Sequence, residues 1–277
     1  MRPAGGYGAG VGRLFVTGLG GHLGGELGRR APAAGWEVAG IVGSAELDVR
    51  DGPAVLAAVS DARPDVVVHT AYRLNDPGVN VEGTRAVAAA ASAAGARLVH
   101  ISSDLVFAGT GTRALTEDDE PAPVTPYGAS KLEAERLCPP DALIVRTSLI
   151  YGGPEPAAQE RMVLDVADGV RDMAFFTDEL RCPIAVADLA AAVLELAELG
   201  SDPAHPPPTG ALHVAGPDVL SRLDFARLVC LHHGRDPALL RGEPGGPERP
   251  KHIVLDCSRA RALLRVRLRG AREVLAA

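Results

Sequence analysis

Short aliphatic runs alternate with Ala-rich stretches of helical length through the first half of the chain. The apolar runs predict strands over residues 13–18, 37–42, 65–70, 97–102 and 142–147. Between them, 22–34, 53–62, 79–94 and 127–137 are each long enough for a crossover helix. The run DVVVHTA, starting at Asp65, is almost continuously apolar, as expected of a strand buried on both faces of a parallel sheet. Strand and helix in alternation point to an α/β, doubly wound fold of Rossmann type. No repeat at solenoid spacing interrupts the pattern.

After Gly152 the periodicity loosens. Residues 153–183 hold turns, one mixed helix-like run and the pair Phe175-Phe176. A helix over 186–199 leads into a Pro-rich loop at 202–210, then a short strand over 211–215 and a helix over 221–233. Ser221 with Asp224 three residues on has the spacing of a capping box. The pattern divides the chain into a flexible leader (1–12), a sheet domain (13–152) and a smaller lobe (153–277). Segments near 184–199 and 252–264 are expected to return from the lobe to the sheet domain. The lobe is placed against the carboxyl edge of the sheet, where open α/β sheets bind ligands.

Composition narrows the partners. Against 35 Asp+Glu stand 28 Lys+Arg, a net charge of −7, and this balance argues against a nucleic-acid partner. No uncharged run of 18 apolar residues occurs, which argues against a membrane span. Cys138, Cys182, Cys230 and Cys257 form no CxxC pair, so neither a disulfide framework nor a zinc site is indicated, and a reducing cytoplasmic location fits. His232-His233 lacks a third ligand at metal spacing, and no metal site is assigned. Arg259, Arg261, Arg265, Arg267, Arg269 and Arg272 read as a solvated C-terminal helix face. With five Phe, four Tyr and one Trp, the core must be mainly Ala, Val and Leu, so a Tyr in a polar setting calls for a role.

Two constellations carry chemistry. The first strand runs into TGLGGHLGG, where Gly18, Gly21 and Gly24 (or, shifted, Gly18, Gly20 and Gly24) would let backbone N–H groups approach a pyrophosphate at a helix N-terminus. Leu19, His22 and Leu23 belong to the same turn. The second strand ends in Val42-Gly43-Ser44, with no acid for a ribose 2′-hydroxyl and no Arg for a 2′-phosphate. Ser44 can bond either group, and the missing carboxylate leans the reading towards NADP over NAD. Asp48 suits either the adenine edge or the cap of the helix near Pro53. Further on, Ser102-Ser103-Asp104 ends a strand, and Tyr127 and Lys131 stand at i and i+4 on one helix face. An ammonium beside a phenol is expected to lower its pKa and suit it to donate a proton to a carbonyl oxygen near neutral pH. Ser103 would hydrogen-bond the same oxygen.

These segments resemble the extended short-chain dehydrogenase/reductase family, in its dTDP-4-dehydrorhamnose-reductase-like branch, over roughly residues 13–275. The resemblance is carried by VTGLGGHLG, RPDVVVHTAY, NVEGT, HISSDLVFAGTG, TEDDEPAPVTPYGASKLEAE, RTSLIYG and CPIAVADLA, with GALHVAGPDVLSRLDFARL and LDCSRARALL beyond them. It implies a catalytic trio of Ser103, Tyr127 and Lys131, with Lys131 also on the nicotinamide ribose. Hydride would pass from the reduced nicotinamide to a ketone, most readily the 4-keto group of a nucleotide-linked deoxysugar. Val49, Ala71, Tyr72, Ile101, Ser102 and Leu149 would join the glycine turn, Ser44 and Asp48 in lining the cofactor. Ser103, Asp104, Val106 and Arg181 would meet the substrate. Arg181 suits a bidentate grip on a pyrophosphate or an ordinary surface salt bridge.

Two segments depart from the branch. RLNDPGVN follows Tyr72 in place of the Asp-Lys-Ala-Glu type of stretch, and GPEPAAQERM follows Gly152 in place of Gly-Asn-Phe. A dehydratase or epimerase of the same fold, or a cofactor-binding regulatory subunit without catalysis, are the rival readings. Ser103-Asp104-Leu105 lacks the Glu expected of the dehydratases, and Tyr127 with Lys131 preserves a proton donor that a regulatory subunit need not keep. The Ala-rich helices over 79–94 and 127–137 suit packing across a two-fold axis in a homodimer. Three of the four Tyr (Tyr72, Tyr127 and Tyr151) are expected near the cofactor at the carboxyl edge, with Tyr7 in the leader.

Overall fold

A computed structural model describes residues 12–199 and 206–276. Residues 1–11 of the expected leader, with Tyr7, and residues 202–205 of the Pro-rich loop lie outside these. Gly12, expected in the leader, instead opens the first strand, paired with Trp36.

In the first half the chain alternates as its hydrophobic pattern requires: β1 (Gly12–Thr17), α1 (His22–Arg30), β2 (Trp36–Ile41), α2 (Gly52–Ala62), β3 (Val66–His69), α3 (Pro77–Ala94), β4 (Arg97–Ser103), α4 (Pro126–Arg136) and β5 (Leu143–Thr147). The second half adds β6 (Ile150–Tyr151), α5 (Ala158–Ala167), β7 (Ala174–Phe176), β8 (Leu180–Arg181), β9 (Ile184–Ala185), α6 (Val186–Glu198), β10 (Gly210–His213), β11 (Leu220–Ser221), α7 (Arg222–His232), β12 (Arg241–Glu243), α8 (Ser258–Leu263) and α9 (Ala271–Leu275). Ser221 caps α7, its hydroxyl accepting from Asp224 N–H at 3.0 Å, as the spacing predicts.

Six parallel strands form the main sheet in the order β10-β5-β4-β3-β1-β2. The strand near 211–215 therefore belongs to the sheet domain, as its edge, although the sequence grouped it with the lobe. All four residues of β3 are buried, consistent with helices covering both faces. One face packs Leu14, Val16, Val68 and Val145 with α1 and α6; the other packs Phe15, Val67 and Leu98 with α2 and α3. Segment 184–199 thus returns to the sheet through α6, and Ala260 of α8 joins the same core.

The lobe has its own core of Tyr151, Val163, Phe175, Phe225, Val229 and Leu275. A third cluster, Val106, Phe107, Cys182, Ala215, Ile253, Leu255 and Cys257, joins lobe to sheet. The C-terminal arginines do not share a helix face, because residues 264–270 are not helical. Arg259 meets Glu117 and Asp118, Arg265 meets Glu195, Arg267 meets Glu273, and Arg269 meets Asp188. They lace separate segments together rather than solvating one. No helix among the described residues is long and apolar enough to cross a membrane.

Candidate active site at the carboxyl edge of the sheet

Strand order reverses at β1: the chain runs from β1 to β2 on one side, then places β3 on the other. Such a switch point opens a crevice at the carboxyl ends of the strands, and the glycine turn lies in it. Helix α1 begins at Gly21 with no side-chain cap and no acidic residue in its first turn. That leaves a positive helix end open to an anion. A Cβ on Gly24 would sit 2.0 Å from the Gly18 carbonyl oxygen, so only glycine lets the helix settle this close to the turn. The cradle therefore fits a dinucleotide pyrophosphate.

The second cluster is built by β4 and α4. Thr125 caps α4 through the Gly128 N–H (3.0 Å), and Pro126 opens the first turn. Gly128 is required for the docking of this helix, since a Cβ there would lie 2.0 Å from the Leu105 carbonyl oxygen. Tyr127 and Lys131 are thereby aimed at the end of β4. Lys131 is buried, its ammonium donating to the Ile101 carbonyl (2.6 Å) and standing 3.5 Å from His100 Nε2. Burial pushes its pKa down to about 8, opposed by the charge of Glu135 one turn on. The ring of Tyr127 lies 5.9 Å from that of Tyr72, which is exposed.

Burial, with Tyr72 and Asp104 adding, pushes the Tyr127 phenol well above its ordinary value, while a hydrogen bond with Ser103 pulls it the other way. This corrects the expected lowering by Lys131. The ammonium is committed to Ile101 and His100, and desolvation of the phenolate dominates. Tyr127 is consequently held in its protonated, donating form.

Ser103 Oγ donates to Asp104 (3.2 Å) and accepts from the Leu105 N–H (3.2 Å). Asp104 also accepts from Ser148 (2.7 Å), whose oxygen in turn accepts from the Cys182 N–H (3.3 Å). Behind the cluster, His69 is held between the Thr17 and Thr84 hydroxyls at 2.7 and 3.1 Å, its pKa pushed down to about 3 by burial and then by Lys131.

Comparison with known proteins places this arrangement. Residues 12–277 match the family described as RmlD substrate binding domain. The chain belongs to that family. It is 35% identical over 271 residues to dTDP-4-dehydrorhamnose reductase of Streptomyces griseus, covering 90% of this chain and 87% of that one. It is 32% identical over 282 residues to the Mycolicibacterium smegmatis protein of the same name, covering 95% and 84%. Among solved structures, dTDP-4-dehydrorhamnose reductase of Bacillus anthracis in complex with NADP superposes with a TM-score of 0.81 at 26% identity, covering 95% of this chain and 97% of that one.

Within this RmlD-family frame, contacts at the strand ends join Gly18 to Ala71, Tyr72 to Tyr127, Tyr127 to Ser103 and Lys131 to Ile101. Gly18 abuts Ala71, whose N–H reaches the Thr17 hydroxyl at 3.4 Å. Leu149 follows β5, its carbonyl accepting from the Ile184 N–H. Other expected residues are turned elsewhere. Ser102 donates to Glu135, itself in a buried bidentate pair with Arg146 (2.8 and 3.0 Å). Val49 packs into the core against Gly83 of α3, and Val106 is buried between sheet and lobe.

Asp48 is gripped by Arg50, which holds its carboxyl down to about 2, and the cap of α2 is Asp51 instead. Arg181 is neither at the surface nor free: it is buried and donates to Glu179 at 2.9 Å. Glu179 also takes Arg249 at 2.7 Å and lies 3.9 Å from Arg222. Tyr151, expected near the cofactor, is buried in the lobe core against Phe225. Its strand is only two residues long, and the sequence offered no sign of which way the ring would turn. Asn80 was missed altogether. Its side-chain amide bonds both the N–H and the carbonyl of Arg73 and also reaches Ser130 (each 2.9 Å), so it fixes the loop after β3 against α4.

Proposed function

We propose that this chain is an NAD(P)H-dependent reductase of a ketone, the 4-keto group of a nucleotide-linked deoxysugar. The observation that carries the reading is the convergence of Tyr127 on Ser103 and of Lys131 on Ile101 at the end of β4, in a sheet whose first strand leads into the open, glycine-cradled start of α1. The names of its relatives supply the substrate class.

The reduced nicotinamide, when bound, supplies a hydride for the carbonyl carbon. Tyr127 holds the proton that its Oη gives to the carbonyl oxygen as charge develops there. Ser103, turning its hydroxyl proton from Asp104 to that oxygen, donates a second hydrogen bond and fixes its position. Lys131 keeps a positive charge beside the site as the phenol loses its proton, and its ammonium is the group to hold the nicotinamide ribose hydroxyls. In the lobe, Arg181, Arg222 and Arg249 surround the carboxylate of Glu179, with only Asp104, 3.9 Å from Arg181, as a second acid. This surplus of guanidinium charge suits the substrate's diphosphate.

The test is direct. Absorbance of NADPH or NADH is followed with a panel of nucleotide-linked 4-keto sugars. Stoichiometric cofactor oxidation with formation of the 4-hydroxy sugar is expected, whereas cofactor recycling without net oxidation would mark an epimerase or dehydratase and overturn the reading.

A further inference from the structure

The sequence places no arginine within reach of the ribose end of the glycine turn, but the fold supplies one. Arg73, 29 residues beyond Ser44 in the chain, extends from the loop after β3 so that its Nη2 lies 3.4 Å from the Ser44 hydroxyl. We propose that Arg73 and Ser44 form a clip for the 2′-phosphate of NADPH and that Arg73 is the residue that decides cofactor preference. This rests on the dinucleotide reading of the glycine turn.

Three observations support it. First, the position is right: Ser44 follows β2, where a dinucleotide fold meets the adenosine ribose, and an arginine there accommodates a 2′-phosphate. The glycine turn is stitched to this strand end, with the Leu19 N–H on the Ile41 carbonyl and the Gly20 N–H on the Val42 carbonyl (2.9 Å each).

Second, the guanidinium is available. Among the described residues no carboxylate pairs with Arg73, while Arg50, further along the chain from Ser44, is taken up by Asp48 and Asp76. A lone hydroxyl at 3.4 Å leaves most of the five guanidinium N–H groups of Arg73 free for a bidentate phosphate contact.

Third, the loop is prepared. Asn80 clamps the Arg73 backbone from both sides, so the exposed side chain springs from a fixed base. One acid stands at the same strand end. Glu46 bends back to accept the Val42 N–H at 2.7 Å, and that bond keeps its carboxylate on the strand terminus. Glu46 is the opposing determinant, favouring an unphosphorylated ribose, and Arg73 is set against it.

Calorimetric titration with NADP⁺ and NAD⁺ separates these effects without any turnover. The unaltered protein should bind NADP⁺ at least about tenfold more tightly than NAD⁺, in line with a charge-assisted phosphate contact. Arg73→Ala should collapse that ratio towards one by weakening NADP⁺ alone, and Arg73→Lys should retain part of it. Glu46→Gln should widen it. An NADP⁺/NAD⁺ ratio unchanged in Arg73→Ala, or an equal loss for both cofactors, would overturn the clip while leaving the reductase reading intact. Failure of the unaltered protein to bind either cofactor would instead sink the dinucleotide reading, and the clip with it.

Discussion

In the sheet half, strands of four to seven residues lie in parallel register and bury aliphatic side chains on both faces. The lobe's strands run to only two or three residues, and its segments are tied by carboxylate–cation pairs between residues 67 to 73 positions apart. The two halves thus hold their functional groups by different means. Ser103, Tyr127 and Lys131 stand on long elements fixed by a ladder and by apolar packing, forces that do not depend on protonation. Arg181, Arg222 and Arg249 converge on Glu179, with Asp104 3.9 Å from Arg181 and Gln159 accepting from Arg222, so charge and hydrogen bonding hold this part of the lobe. Rigid elements beneath the proposed reacting groups and an ionic lattice in the lobe suit an enzyme that keeps its chemistry fixed while a second surface varies.

The sharpest way to isolate the sheet half's contribution is Tyr127→Phe. It removes the proposed proton donor without disturbing the packing of α4, and turnover should fall by roughly two to four orders of magnitude. Cofactor binding, measured by calorimetry, should be largely unaltered. Undiminished turnover would show that the proton comes from elsewhere.

The corresponding break in the lobe is Glu179→Gln. Glu179 is fully buried, and neutralising it leaves three guanidinium groups facing one another. Breaking a buried ionic cluster on one side costs about 3–5 kcal/mol. The single Trp, Trp36, is buried in the sheet half and reports on that half alone. Circular dichroism should therefore show the lobe melting several degrees early while Trp36 fluorescence shifts less. Identical shifts by both probes would mean that the halves unfold as one unit and that the contrast between them has no energetic weight.

A pH profile probes the one titratable group in the sheet half that the mechanism needs charged. Lys131 has its pKa pushed down to about 8, so it carries its charge below that value and loses it above. Activity should be level on the acid side and fall about tenfold per unit once pH passes it. Tyr127 is pushed well upward by burial and contributes no limb in this range. Lys131→Arg, slower but always charged, should lose the limb near pH 8. A limb that persists in that variant would belong to another group.

The same contrast explains what could be read from the sequence. Strand ends, the glycine turn and the Tyr127–Lys131 pair were legible because each is set by spacing within one or two elements: β-period runs, a helix start, an i,i+4 step. Ser221 as a cap was legible for the same reason. What escaped depended on distant partners. Arg181 was seen as a candidate, but its partner Glu179 sits in a cluster completed by Arg249, 70 residues beyond that carboxylate. Arg73 reaches Ser44 across 29 positions, so nothing at the end of β2 itself signals an arginine. The spacing of the C-terminal arginines suggests one helix face, yet the chain between α8 and α9 is not helical, and Arg259 meets Asp118 ahead of α4 while Arg265 and Arg269 both meet carboxylates of α6. The direction of the Tyr127 shift was missed because an i,i+4 spacing reports proximity to Lys131 but not desolvation.

Not every ion pair in the lobe should matter, and Arg235→Ala marks the limit. Arg235 and Asp168 form a well-shaped pair at 2.6 Å that joins the end of α7 to the end of α5, as Arg249 and Glu179 join their own segments. The difference is water: both partners here are 43% exposed, whereas Glu179 has no exposure at all. Exposed pairs gain little in high dielectric and give part of it back in side-chain entropy, so this substitution should change stability only slightly. Even that small effect should vanish in molar salt, where the screening length shrinks to about 3 Å. A loss comparable to Glu179→Gln would mean that the lobe is held by its ionic pairs as a connected set, and that burial is not what separates the structural pairs from the incidental ones.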